Sequence, residues 1–173
     1  FRASADEGMW LPMMLGQQVY NDMVKHGLKL TKDQLYSINQ PSIKDAIIIF
    51  GGGCTGEIVS NQGLIFTNHH CGYGVIAGSS TVEHNYLKDG FYAYSKDQEI
   101  KSDLTVTFLE KIVDVTDQVE GALKGLDYAE RAKKTSDVYA SITDKVLDTA
   151  NGISGRVYSM FKGNQFLMYV YKI

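Results

Sequence analysis

Two neighbouring stretches decide the fold: Gly51-Gly52-Gly53-Cys54-Thr55-Gly56 and Thr67-Asn68-His69-His70-Cys71. The run Gly63-Leu64-Ile65-Phe66 leads into Thr67 with strand character, so His70 is expected to emerge at the end of a β-strand. Only two cysteines occur, so Cys71 has Cys54 as its one partner within the chain. They form one disulfide or stay two thiols. A bridge would hold the segment that carries His70, which is how a catalytic base is mounted on a β-barrel.

Outward from these stretches the texture is β. Ala46-Ile47-Ile48-Ile49-Phe50, Thr55 to Val59 and Leu64 to Thr67 read as strands, the last two joined by a turn at Ser60-Asn61-Gln62-Gly63. Leu104 to Val115 alternates apolar and polar residues, as a strand with one buried face does. Arg156 to Phe161 and Gln165 to Tyr171 read as a hairpin around Lys162-Gly163-Asn164, and Asp127 to Ala150 reads as a helix. The run Phe166 to Tyr171 reaches the C-terminus without a following turn, so the chain is expected to stop in mid-domain.

Before Ser42 the pattern is helical over residues 7–40. Met9, Trp10, Met13, Met14, Val19, Tyr20 and Met23 recur at three- and four-residue steps. Pro12 suits a first helical turn, His26-Gly27 a helix end, and Thr31-Lys32-Asp33-Gln34 the capping box of a second, short helix. The division is therefore an N-terminal helical segment over 1–40 and a strand-rich portion over 41–173. The fold class is mainly β with flanking helices.

With 173 residues, 44% of them hydrophobic, the chain can build one domain with a core. A net charge of −3 disfavours nucleic acid and anionic membrane surfaces as partners. No apolar run approaches the roughly 20 residues of a membrane span, so membrane insertion is not expected. There is no Cys-x-x-Cys pair. Zinc held by Cys54, His69, His70 and Cys71 would need three consecutive ligands on one tetrahedral ion, a poor geometry, and no metal is expected.

A serine hydrolase needs an imidazole base, a carboxylate that holds its tautomer, and donors for the oxyanion. His70 supplies the first. Asp103, at the head of the Leu104 to Val115 strand, is the local candidate for the second, although aspartate before a strand is also ordinary turn chemistry. No Gly-x-Ser-x-Gly occurs, and Ser154 in Gly152-Ile153-Ser154-Gly155 lacks the strand-turn setting of a nucleophile. His69 reads as a flanking residue, His26 as a cation at a helix C-terminus and His84 as part of a polar loop. Gly72-Tyr73-Gly74 reads as loop shape, because no Lys-Ser or Lys-Thr follows it.

Trypsin-like enzymes set their histidine just before a cysteine whose partner lies some fifteen residues upstream, and here Cys54 precedes Cys71 by 17. More closely, the chain resembles bacterial serine exopeptidases of the dipeptidyl-peptidase 7 and 11 type. Ala5-Asp6-Glu7-Gly8-Met9-Trp10, Gly52-Gly53-Cys54-Thr55-Gly56, Thr67-Asn68-His69-His70-Cys71-Gly72-Tyr73-Gly74 and Asn164-Gln165-Phe166 carry the likeness. Phe1-Arg2-Ala3-Ser4 lies outside it and reads as a remnant of processing.

The resemblance implies a chymotrypsin-like double β-barrel with an inserted helical domain, of which this chain is the incomplete N-terminal part. It puts the catalytic histidine on His70 and a disulfide on Cys54 and Cys71. It places the triad's aspartate and serine beyond Ile173, against Asp103. The implied activity is release of dipeptides from the free N-terminus of oligopeptides through an acyl-enzyme. The setting implied is periplasmic, cell-surface or secreted, with a peptide substrate, a homodimeric parent and no cofactor, and the isolated chain should be inert and self-associating through its sheet edges. A trypsin-like endopeptidase, or a non-catalytic binding protein on a degenerate protease fold, are the competing readings.

Overall fold

The computed structural model describes residues 10–173, so Met9 and most of the first matching motif lie outside the described residues. It divides into two compact units, one ending at Ala46 and one spanning Ile47–Ile173. The first holds short helical pieces where a longer helical stretch is expected: a 3-10 turn at Pro12–Met14, α1 at Gln17–Lys25, α2 at Lys32–Leu35 and a 3-10 turn at Ile43–Ala46. Glycines make the interruptions. Gly16 caps α1 in an extended conformation, and Gly27, at φ +105°, turns the chain after His26. The capping box forms as read, with Gln34 N–H donating to Thr31 Oγ1 and Thr31 N–H donating to the Gln34 side chain.

The second unit is built on one six-stranded sheet: β1 (Ile47–Phe50), β2 (Cys54–Ile58), β3 (Ile65–Thr67), β4 (Val106–Asp114), β5 (Ile153–Met160) and β6 (Gln165–Lys172). Every pairing is antiparallel, in the order β3-β2-β1-β4-β6-β5. Gly51 and Gly52, at φ +60° and +82°, make the β1–β2 corner that a side chain would resist. Four helices accompany the sheet: α3 (His69–Ser79), α4 (Tyr86–Asp89), α5 (Thr116–Ala122) and α6 (Tyr128–Thr143). The expectation of a mainly β chain thus gives way to a mixed sheet and helix fold.

The helix expected over 127–150 ends at Thr143. Its start is fixed by a capping box between Asp127 and Glu130. Beyond Asp144 the chain bends so that Val146 can reach β5, and a 3-10 turn at Thr149–Asn151, closed by the Asp148 side chain, leads into the strand. The approach is close: a Cβ added to Gly155 would stand 2.7 Å from Val146 Cγ2. Glycine is needed there for space rather than for its dihedrals.

The core lies between α5, α6 and one face of β5 and β6. Val115, Val119 and Leu123 recur every four residues along α5 and its flanks, and pack with Ile142 of α6, Val157 of β5 and Phe166, Met168 and Val170 of β6. Arg131 of α6 donates to both carboxylate oxygens of Glu120 on α5, at 2.9 and 3.0 Å. Leu167 points to the opposite face and is fully buried as well, so β6 is covered on both sides over Phe166, Leu167 and Met168. On that second face Tyr158 and Tyr169 meet edge to face at 4.9 Å, and the Arg156 guanidinium lies over the Tyr158 ring. Burial pushes the Tyr171 hydroxyl well above the usual tyrosine range.

At one end of the core the chain is fastened by polar side chains. Asp114 accepts from Thr116 N–H at 2.9 Å and from Gln165 Nε2 at 2.7 Å, while Thr116 Oγ1 accepts from Phe166 N–H at 2.9 Å. These bonds tie the end of β4 and the start of α5 to the start of β6.

Leu167→Ala should cost about 2–5 kcal/mol, as buried leucine truncations do, read as a lowered urea midpoint. The bonds from Thr116 and then Gln165 hold the Asp114 carboxyl below its ordinary value of 3.8. Since the folded-state value is the depressed one, Asp114 stabilises the fold above the unfolded value, and that contribution is lost as pH falls below 3.8. Melting temperatures of the parent and Asp114→Asn should therefore differ most near neutrality and converge in acid. A gap independent of pH would contradict this role.

Candidate active site

The site begins where β2 and β3 press together. A Cβ on Gly56 would come within 3.1 Å of Phe66 O and 3.2 Å of an Ile65 methyl, so the glycine lets the two strands close. Thr67, opposite Gly56 in register, adds a bond from its hydroxyl to Thr55 O at 2.8 Å. The end of β3 is thereby pinned beside Cys54, one residue before the chain turns.

The turn does not lead into a loop. Asn68 is the extended N-cap of α3, and His69, His70 and Cys71 form the first turn of that helix. His70 therefore stands on a helix start, three residues past the end of the strand from which it was expected to emerge, and Gly72-Tyr73-Gly74 is helical. The sequence hid this helix because Gly72, Gly74 and Gly78 each cost roughly 1 kcal/mol against alanine. Nor does crowding call for them: a Cβ on Gly74 or Gly78 would meet nothing within 4 Å.

A covalent bond anchors the helix start. Cys54 at the head of β2 and Cys71 in the first turn of α3 are disulfide-bonded, with their Cα atoms 6.0 Å apart. The bridge closes a 17-residue separation, worth about 3 kcal/mol in the chain-entropy account. Within this frame His70 is exposed to solvent, and its Nε2 lies 3.9 Å from Cys54 Sγ. An imidazole so placed has a fixed backbone and an open approach, which a proton-transferring group needs.

His69 faces differently. It meets Tyr73 edge to face at 6.0 Å and borders a cavity of about 960 Å³, whose apolar wall includes Phe50, Ile65, Ile76, Leu87 and Phe91. This cavity, under α3 and α4, had no signal in the sequence, because its wall comes from segments far apart along the chain. The Thr67 to Thr55 bond was likewise invisible, since it depends on strand register.

The other candidates are not gathered at His70. Asp103 lies exposed in the segment before β4, and among the described residues no carboxylate joins the group formed by Cys54, His70 and Cys71. Ser154 lies within β5, opposite Tyr171. His26 Nδ1 is bonded to Asp22 O at the end of α1, and His84 stacks on Tyr86. The four-ligand zinc arrangement fails on two counts: the cysteine sulfurs are bonded to each other, and His69 is not in the group.

Known proteins resemble the chain along almost its whole length. The Peptidase S46 family matches residues 5–173. Dipeptidyl-peptidase 7 of Porphyromonas gingivalis is 46% identical over 173 residues, 99% of this chain and 24% of that protein. The Asp/Glu-specific dipeptidyl-peptidase of the same organism is 43% identical over 98% of this chain and 24% of its own length. A crystal structure of Porphyromonas endodontalis DPP11 superimposes with a TM-score of 0.82 at 37% identity, covering 97% of this chain and 24% of that one. The chain thus spans about a quarter of the length of the relatives it matches, and it belongs to the peptidase S46 family.

Proposed function

We propose that this chain is the base-bearing N-terminal part of a serine-type dipeptidyl-peptidase, with His70 as the general base. The observation that carries the reading is the exposed His70 on a helix start bonded to β2 through Cys54 and Cys71. It occurs in a chain 46% identical to a dipeptidyl-peptidase. In the proposed reaction His70 takes the proton of a serine hydroxyl as that oxygen attacks the peptide carbonyl. It then gives the proton to the departing amine, and a water deacylates the enzyme by the same route. The serine and the aspartate that orients His70 are assigned to the protein beyond Ile173, so the isolated chain is inert.

The same reading makes the six-stranded sheet part of a chymotrypsin-like barrel. The burial of β6 on both faces favours this, because a sheet that curls covers its own inner face while α5 and α6 cover the outer one. The substrate is a peptide with a free N-terminus. In support, a related structure of Porphyromonas endodontalis DPP11 is a complex with dipeptide Arg-Glu. We assign the parent to the periplasm or cell surface as a homodimer, a setting in which a structural disulfide persists.

The test uses the full-length protein. It should release dipeptides from a free peptide and none from the same peptide with an acetylated N-terminus. His70→Ala should lower kcat/KM by at least about 10³-fold while leaving the melting temperature close to the parent's. Undiminished turnover by His70→Ala would remove the catalytic reading. Cleavage of the acetylated peptide would make the enzyme an endopeptidase.

A further inference from the structure

Three soft or borderline donors converge at the start of α3. Cys54 Sγ, Cys71 Sγ and a ring nitrogen of His70 all lie within 4.8 Å of one another, and Cys54 Sγ to His70 Nε2 is 3.9 Å. In a tetrahedral zinc site, with bonds of about 2.3 Å to sulfur and about 2.0 Å to nitrogen, neighbouring donors stand about 3.5–3.8 Å apart. The sulfur-to-imidazole distance is already close to that value. Only the two sulfurs, now bonded, are too near each other.

We propose that reduction of the Cys54–Cys71 bridge unmasks a three-donor site for a soft divalent cation of the zinc and cadmium class, made by Cys54, Cys71 and His70. The reductant is a dithiol. It transfers two electrons and two protons, becomes a disulfide itself and leaves two thiols on the protein. The Cα atoms, 6.0 Å apart, let the sulfurs separate by side-chain torsions with the backbone in place. The cation then displaces both thiol protons, and two thiolates balance its charge.

The setting favours this use of the three groups. The cysteines are half-buried and His70 is exposed, so a small reductant and a hydrated ion can both approach. Cys71 and His70 are adjacent in one helical turn, and Cys54 is held opposite by the bond from Thr67 to Thr55 O. His69 stays outside, turned towards Tyr73. Among the described residues no fourth side chain joins the group, which leaves one corner for water or a small ligand. On the reading of His70 as general base, and resting on it, the cation would occupy the lone pair that accepts the serine proton. Reducing conditions with available metal would then silence the base.

The experiment uses the full-length protein beside its Cys54→Ser, Cys71→Ser variant as the blank, each reduced with a dithiol, desalted without oxygen and titrated with cadmium ion. The parent should bind one cadmium per chain more than the blank, with an ultraviolet thiolate-to-cadmium charge-transfer band and release of about two protons per metal below the thiol's ordinary value of about 8.5. The oxidised chain should show no band. His70→Ala, reduced in the same way, should bind at least about tenfold more weakly, since even changes behind a ligand cost 10–100-fold. Equal affinity of the reduced parent and His70→Ala would overturn the site, as would absence of the band. Where reduction alone alters the near-ultraviolet circular dichroism, cadmium must restore the native spectrum, and failure to restore it counts against the site equally. Turnover is not measured here, so failure of the catalytic reading would leave the cadmium result standing on its own.

Discussion

The bond between Cys54 and Cys71 does for one half of the sheet what packing does for the other. The hydrophobic cluster under α5 and α6 draws on β5, β6 and their neighbours and takes nothing from β1, β2 or β3. Around the candidate base, Phe66 and Leu64 are more than half exposed, and the space beneath α3 is an open cavity. A glycine-rich helix in such surroundings lacks both intrinsic propensity and a dense core to lean on. The disulfide supplies the missing constraint by joining its first turn to β2. His70 owes its fixed position to this covalent tie and to the strand contact at Gly56 and Thr67.

Much of this was legible in the sequence where local chemistry dictates local shape. The strands β1, β2, β3 and β6 follow from β-branched and aromatic runs bounded by glycine turns. The capping box at Thr31 follows from the order of its side chains. Legibility failed where tertiary contacts override propensity. The helix at His69 to Ser79 carries three interior glycines and no periodic apolar stripe. The end of α6 at Thr143 depends on how closely Val146 approaches Gly155, and α5 was hidden because Asp114 and Thr116 start a helix where the alternation of β4 had only just ended.

The candidate site divides in the same way. His70 stands out through its neighbour Cys71, and Cys54 through being the second of two cysteines. What the sequence could not supply was the helical setting of His70, the hydroxyl of Thr67 closing on Thr55 O, or the outward placement of Asp103. Each depends on register or on a turn set by distant residues. The match of residues 5–173 to one peptidase family places that constellation in a known lineage, and the geometry accounts for how a short glycine-rich segment presents an imidazole at all.

The strand order also divides the sheet into two local groups, β1-β2-β3 and β4-β6-β5, which meet only along β1 and β4 over three residue pairs, Ile48 with Phe108, Ile49 with Thr107 and Phe50 with Val106. Short turns join β1 to β2, β2 to β3 and β5 to β6, whereas β4 meets its neighbours on both sides across long connections, one containing α3 and α4 and the other α5 and α6. Loop-closure entropy therefore orders assembly. The β1-β2-β3 meander and the β5–β6 hairpin can condense early, and both pairings of β4 form late. The two halves differ in their packing: the buried cluster takes nothing from β1 to β3, and a unit with fewer buried apolar contacts opens at a lower free energy. The half that carries His70 is thus the more loosely held.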